Sequence, residues 1–189
     1  MALLKTTKIL DNTVISAAIN EIKAVDLLSI CNENYAMVTS MEVFHEACGG
    51  NRHRVTKECQ IEIRDKAKDQ KFTQIISYLC DRYPYLHEGE LSAFTLALLD
   101  YACSGESYFF VTDDRTMRRR IDEIIASPQI TNVCQMQIQS FNHTGTIGLI
   151  RRLYQKRCLS NEEIDEIIAN LRESTFYITE ELLKELKRC

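Results

Sequence analysis

The sequence predicts an α/β fold of three layers, in which helices cover both faces of a central, mostly parallel sheet. Short apolar segments at residues 8–10, 35–39 and 108–112 are typical of buried strands, and segments of helical periodicity separate them. The segment 108–112 is continuously apolar between polar neighbours, as expected of a strand buried on both faces. Alternating strands and helices favour a parallel sheet. Residues 133–141 give one further expected strand.

Helical periodicity accounts for most of the remaining chain. Ser40 is a suitable N-cap for the second helix, and Gly49–Gly50 is expected to end it. Ser160 and Glu163 form a capping box, and Thr146 and Thr179 are expected N-caps further along. The predicted helices lie at 14–22, 40–50, 55–70, 72–81, 88–102, 117–125, 147–154, 160–171 and 179–188.

One compact domain is expected from 189 residues, with a main body over 1–158 and a C-terminal helical extension over 159–189 packed on it. The hydrophobic share of 45% and the charged share of 26% are typical of globular proteins. No apolar run approaches the length that spans a bilayer, and the first residues lack the features of a signal peptide. We therefore expect a cytoplasmic protein without a membrane partner.

Eight cysteines are scattered without a CxxC motif, which argues against a zinc site and indicates reduced thiols. The net charge of −4 neither supports nor excludes a nucleic-acid-binding function, because basic residues are grouped at 115–120 and 151–157. Walker, GxSxG and GxGxxG motifs are absent, so P-loop nucleotide hydrolysis and serine-type acyl transfer are poor fits.

Carboxylates lie at the ends of the predicted strands or at the starts of adjoining helices. These positions face one edge of the sheet, where parallel sheets form their sites. The carboxylates are Asp11 after the first strand, Glu42 and Glu46 after the second, Glu88 and Glu90 before the third, and Asp113 and Asp114 after it. Taken singly, each is explained as a helix cap or a solvated first-turn acid. Gathered together, they repel one another, and Mg²⁺ or Mn²⁺ resolves that repulsion through oxygen ligands. The joint placement therefore favours a metal site.

Four segments resemble elements of the PIN-domain nucleases. Residues 9–15 resemble the PIN opening, with Asp11 as the first acid and Thr13 two positions later. Residues 38–50 resemble the second element, in which Glu46 is the better match and Glu42 the alternative. The other two are 86–93, which resembles a GExxA element carrying Glu90, and 111–115, which resembles a TxD element carrying Asp114 beside Asp113.

The resemblance extends over nearly the whole chain and is weakest at 51–85. Residues 144–148 are similar to a GTxG element, and 154–159 and 176–179 are similar to the tail of the same PIN-like branch. The chain is longer than VapC-type toxins, and its third acid is glutamate where those toxins have aspartate. Both differences put a toxin role in doubt more than the fold.

The resemblance implies a PIN-like nuclease domain over 1–158 that hydrolyses RNA, with DNA not excluded, and leaves a 5′-phosphate. It also favours a homodimer and leaves open whether an antitoxin-like protein partner exists. One or two Mg²⁺ or Mn²⁺ ions would lower the pKa of a bound water. The implied roles are metal binding and catalysis for Asp11, Glu46, Glu90 and Asp114, metal binding for Asp113, and orientation of these ligands by Thr13, Thr112 and Glu42.

Three arginines after the last acid, Arg115, Arg118 and Arg119, are candidate substrate contacts. The alternative is a solvated helix face paired with Asp122 and Glu123. For residues 144–148, backbone N–H groups near a phosphate are weighed against glycines that only serve a turn.

Two other functions stay open. An inactive PIN-like scaffold would bind RNA or a protein through an apolar patch that includes Phe176 and Tyr177. A small-molecule phosphatase is a weaker fit, because residues 11–13 lack the second aspartate of a DxD pattern.

Overall fold

The computed structural model describes residues 5–47, 49–106 and 108–187, and over these ranges the chain forms a five-stranded, all-parallel sheet. The strand order is β3-β2-β1-β4-β5. The strands are β1 (Thr7–Leu10), β2 (Ala36–Ser40), β3 (Glu62–Arg64), β4 (Tyr108–Val111) and β5 (His143–Thr144).

Helices connect and cover the strands, and three of them run into or follow a π-helical turn. The helices are α1 (Asn12–Ser16), α2 (Val25–Asn34), α3 (Met41–Glu46), α4 (Gly49–His53), α5 (Gln70–Arg82), α6 (Glu88–Ala97), α7 (Arg115–Ile125), α8 (Pro128–Cys134), α9 (Thr146–Gln155), α10 (Asn161–Glu173) and α11 (Glu180–Leu186). The π-helical turns are Ala17–Glu21, Arg54–Glu58 and Leu98–Ala102. In the described residues, no helix is long and apolar enough to cross a bilayer.

Strand β1 is the centre of the sheet and pairs in parallel with both β2 and β4. Leu10, its last residue, lies opposite Thr39 on one side and Val111 on the other. The chain builds β2 and β3 outward on one side, then returns to build β4 and β5 on the other. The topological switch point therefore lies between β1 and β4, where open α/β sheets bind ligands.

Both faces of the sheet are packed, which confirms the predicted three-layer α/β/α fold. Phe110 of β4 contacts Phe94 of α6 with ring centroids 5.7 Å apart, and α6 packs across β1, β2 and β4. The preceding residue of the strand points to the other face. There Phe109 lies under Arg152 of α9. Buried residues of α10 and α11 belong to the same hydrophobic cluster as the sheet.

Two predicted elements are wrong. The strand expected at 133–141 is replaced by α8 and irregular chain, because Ser127 caps a helix with Pro128 in its first turn. The helix expected at 55–70 is replaced by a π-helical turn and β3, whose charged residues occupy a sheet edge where Glu62 pairs with Val38. An edge strand exposed to solvent lacks the apolar signal of a buried one.

Helix caps agree with the sequence in most places. Ser40, Ser160 and Thr179 cap α3, α10 and α11, and the capping box of Ser160 and Glu163 is complete. The helix expected to end at Gly49–Gly50 ends at Glu46, and the glycines begin α4. Gly145, rather than Thr146, is the N-cap of α9.

The cysteines in the described ranges are not in disulfide bonds; they are Cys31, Cys59, Cys80, Cys103, Cys134 and Cys158. Cys48, Cys189 and the predicted end of the last helix at Arg188 lie outside the described residues.

Replacing Phe94 with alanine is expected to destabilise the fold severely. Its side chain is fully buried, with ring centroids 5.7 Å from Phe110 and 4.8 Å from Phe141. The cavity and the lost contacts should reduce the free energy of unfolding by about 3–5 kcal/mol. Urea denaturation measures this loss. Met136→Ala, at an exposed position, is the control and should stay within about 0.5 kcal/mol. Equal losses in the two variants would contradict the packing described here.

Candidate functional site

Asp11 lies at the end of β1 and caps α1, and its carboxylate is 2% exposed. Its Oδ1 accepts a hydrogen bond from the Asn12 N–H at 2.6 Å. Its Oδ2 accepts hydrogen bonds from the Thr13 and Thr112 hydroxyls at 2.7 Å and 2.9 Å. The interpretation of Asp11 as a helix cap is therefore correct in part. The same carboxylate also ties the end of β1 to the end of β4.

Thr13 and Thr112 connect Asp11 to the loop that carries the next two acids. The Thr13 hydroxyl accepts a hydrogen bond from the Asp113 N–H, and the Thr112 hydroxyl accepts one from the Asp114 N–H, each at 3.1 Å. Each hydroxyl thus donates to Asp11 and accepts from the backbone of an aspartate that follows β4. The two threonines fix the position of this loop relative to Asp11.

Burial raises the pKa of Asp11, and the negative charge of Glu46 raises it further. The hydrogen bonds from Thr13, Thr112 and Asn12 act in the opposite direction, because they favour the charged form. Asp11 is therefore a buried acid whose charge is supported by donors from its own chain.

Glu90, in the first turn of α6, is 4% exposed, and its Oε1 has no hydrogen-bond partner in the described part of the chain. Burial, followed by the charges of Asp11 and Asp114, raises the pKa of Glu90 to about 9. Glu46 contributes in the same direction. A buried polar atom without a partner costs roughly 1–3 kcal/mol. The Glu90 carboxyl therefore keeps its proton near neutral pH unless a bound cation replaces that proton.

Glu46, rather than Glu42, joins this acidic cluster. Its Oε1 accepts a hydrogen bond from the Gly89 N–H at 2.8 Å, and a Cβ at position 89 would overlap the Glu46 carboxylate. A side chain at position 89 would therefore displace the Glu46 carboxylate from its present position. Glu42 instead accepts a hydrogen bond from the Ser92 hydroxyl and links α3 to α6. The charge of Glu46 acts on both Asp11 and Glu90.

Asp114 and Asp113 have different surroundings. Asp114 caps α7 by accepting a hydrogen bond from the Met117 N–H at 2.7 Å, and its charge acts on Glu90. Asp113 turns towards α9, where it accepts hydrogen bonds from the N–H of Thr146, at 2.8 Å, and from its hydroxyl. Burial raises the pKa of Asp113. Both of its oxygens are engaged, so among the predicted ligands Asp113 is the least available.

The loop at 144–148 therefore receives an anion from the chain itself. The Thr146 N–H, at the start of α9, donates to Asp113 rather than facing an open phosphate site. A Cβ at Gly145 would lie 2.5 Å from the Asp113 Oδ1, so this glycine permits a close approach. These contacts argue against the phosphate interpretation of the loop, and they give Gly145 a packing role in place of the expected turn role.

A cleft of about 1010 Å³ opens beside the acids. Arg115 and Arg118 line it, whereas Arg119 does not. The surface pairing considered for these arginines is made instead by Arg120, which lies 2.7 Å from Glu123. His87 and Arg151 also line the cleft and were not among the candidate site residues. Arg151 belongs to the basic group at 151–157, and only tertiary packing brings it to the cleft.

The acids supply oxygen donors of the kind that Mg²⁺ and Mn²⁺ prefer, but the described residues do not form a preformed cage. In residues 5–47, 49–106 and 108–187, no group of three or more His, Cys, Asp or Glu side chains is arranged to hold a metal ion. Mg²⁺ keeps several waters and is commonly bound by one or two carboxylates together with substrate phosphates. Glu90 and Asp114 fit this mode, because Glu90 has an unpartnered oxygen beside the Asp114 charge.

No protein-family model, curated protein or solved structure matches this chain. The resemblance to PIN nucleases is therefore a hypothesis supported by the motifs alone. Function must be inferred from the residues and their surroundings.

Replacing Glu90 with glutamine is expected to change how stability depends on pH. The pKa of Glu90 is about 9 in the folded state, against 4.5 for an unperturbed glutamate. The folded state therefore binds more protons between these values, and the free energy of unfolding falls as pH rises through this window. Glu90→Gln removes that contribution. In EDTA, the free energy of unfolding of the variant, relative to that of the parent, should rise by at least about 1.4 kcal/mol between pH 5 and pH 8. This is the equivalent of one pKa unit.

Urea denaturation at the two pH values measures the difference. Glu88→Gln, at an exposed position in the same helical turn, is the matched control. Its free energy of unfolding should equal that of the parent at both pH values. If the stability of Glu90→Gln changes with pH as that of the parent does, ionisation of Glu90 does not destabilise the folded state.

Proposed function

We propose that this chain is a metal-dependent phosphodiesterase of the PIN type that cleaves RNA. The observation that carries the proposal is the unpartnered, buried oxygen of Glu90 among the like charges of Asp11, Asp114 and Glu46. These acids lie at the carboxyl edge of the sheet near the switch point between β1 and β4. A divalent cation supplies the missing partner and removes the repulsion.

The acids have separate roles in this proposal. Glu90 and Asp114 supply oxygens to Mg²⁺ or Mn²⁺, and Glu46 adds charge from α3. Asp11 accepts hydrogen bonds from three donors, and it holds the loop after β4 in place. When bound, the cation lowers the pKa of a coordinated water and stabilises charge on the phosphate.

The cleft beside the acids suits a single strand of nucleic acid. Arg115 and Arg118 line it with positive charge that attracts a phosphate backbone. Tyr177 is 75% exposed at the same cleft, and the Arg115 guanidinium lies over its ring at 4.7 Å. An exposed aromatic ring beside arginine stacks on bases without strong sequence preference. The choice of RNA over DNA comes from the PIN resemblance.

A second candidate function is a scaffold without turnover. Both oxygens of Asp11 are already engaged by the chain's own donors, and Tyr177 and Leu182 expose apolar surface at the cleft. Such a surface fits an antitoxin-like protein or a second copy of the chain.

The proposed activity is expected to depend on Glu90. Glu90→Gln keeps the shape of the side chain and removes its charge, so cleavage should fall at least about 100-fold, or about 2.7 kcal/mol of activation free energy. The assay uses labelled single-stranded RNA, structured RNA and DNA, with Mn²⁺ or EDTA. The matched control is Glu88→Gln, which should cleave like the parent. Asp11→Asn is less informative, since it also removes an acceptor for three hydrogen bonds.

Thermal unfolding with Mn²⁺ separates the two candidates. The nuclease requires that Mn²⁺ raise the Tm of the parent but not of Glu90→Gln. Equal cleavage by the parent and Glu90→Gln would reject the acidic cluster as the active site. A Tm that Mn²⁺ leaves unchanged, together with no cleavage, would favour the scaffold.

Arg118→Ala is expected to weaken substrate binding more than turnover. Arg118 lines the cleft, so its loss should raise KM for RNA about 5–10-fold and reduce the salt dependence of binding. Arg119→Ala removes the same charge from the neighbouring position outside the cleft and should leave KM within about 2-fold, as for a surface charge. Cleavage kinetics at two salt concentrations test this. Equal effects of the two substitutions would place the substrate path elsewhere.

A further inference from the structure

A second cavity, of about 440 Å³, lies near the amino ends of the strands and therefore at the edge of the sheet away from the acids. Its lining includes Lys8 of β1, Tyr35 just before β2, and Phe109 near the start of β4. Arg152 and Lys156 reach it from α9 and the residue that follows. Lys8 and Phe109 are register partners on adjacent strands and share the face that α9 covers.

Lys8 is an unusual residue in this position. It lies in the central strand, is 1% exposed, and its ammonium has no hydrogen bond or ion pair with the described residues. It lies 3.6 Å from the centroid of the Phe109 ring and 4.6 Å from that of Tyr35. Cation–π contacts offset only part of the free-energy cost of desolvating an ammonium.

Two more cations surround the same rings. Arg152 lies 4.0 Å from the Phe109 ring centroid, and Lys156 lies 4.7 Å from that of Tyr35. Across the described ranges, neither side chain is paired with a carboxylate. Burial lowers the pKa of Lys8 to about 7, and the charges of Arg152 and Lys156 lower it further. Three cations thus converge on one cavity, and no carboxylate in the described part of the chain forms an ion pair with them.

The chemistry of this lining selects a small anion of high charge. Arginine presents a planar fork that binds phosphate through two hydrogen bonds, and lysine provides a point charge. A dianion balances three cations better than a single carboxylate does. The cavity volume lies within the range of small-ligand sites, about 300–1,000 Å³. A phosphate group with a small substituent therefore fits both the charge and the space.

We infer that this cavity binds a phosphate dianion through Lys8, Arg152 and Lys156, independently of the acidic cluster. The phosphate is either free or the terminal group of a nucleotide. Because the site lies at the opposite edge of the sheet, it does not require that the chain cleave RNA.

Calorimetric titration and thermal unfolding in EDTA test the inference with inorganic phosphate as the probe. At about 10 mM phosphate and a Kd of about 1 mM, the Tm should rise by about 3 °C or more over chloride of equal ionic strength. Adenosine monophosphate tests whether the phosphate belongs to a nucleotide, and adenosine is its control. A Tm increase with the monophosphate at least equal to that with free phosphate supports the site, whereas an equal increase with adenosine overturns it.

Lys8→Met provides the decisive variant, because it keeps the length of the side chain and removes its charge. It should raise the Tm in the absence of phosphate and weaken phosphate binding at least about 10-fold. Lys57→Met, at an exposed position, is the matched control and should bind like the parent. If Lys8→Met does not fold, Arg152→Gln combined with Lys156→Gln tests the same site. No Tm increase in the parent, or undiminished binding in the variant that folds, would overturn the inference.

Discussion

The fold at the candidate site depends on the burial of one carboxylate. Asp11 is almost inaccessible to water, and a buried charge is tolerated only where donors surround it. The donors come from α1 and from the residue after β4, so these elements must meet around Asp11. Thr13 and Thr112 extend the requirement to the backbone of the following aspartates. One interaction therefore sets the geometry of the whole switch point.

The other acids divide according to what they contact. Asp113 is fully engaged with the start of α9 and joins two neighbouring elements. Glu90 is buried, and its Oε1 has no hydrogen-bond partner among the described residues. Acids accumulate at the carboxyl edge of the sheet and cations near its amino edge. The sheet thus separates two sites of opposite charge within one domain.

The sequence was sufficient for the central strands and for the positions of the acids. Strands β1, β2 and β4 are buried on both faces, so their apolar runs are visible. Strand β3 was missed because its charged residues at the sheet edge resemble an exposed helix, and β5 because two residues carry no periodic signal. The partner of Asp113, Thr146, depends on tertiary packing that no local pattern encodes. Lys8 lies within a segment that was predicted as a buried apolar strand. A lysine in such a strand is itself a signal of a buried cation.

The central position of β1 has a consequence for biosynthesis. The strand is made first, yet the Thr112 hydroxyl that completes the surroundings of Asp11 comes 101 residues later. At about 5–20 residues per second, the nascent chain extends for several seconds before that hydroxyl exists. Under the proposed activity, a ribonuclease assembled early would emerge beside its own messenger RNA. The strand order would then delay the formation of a working site until β4 and the residue after it have been synthesised.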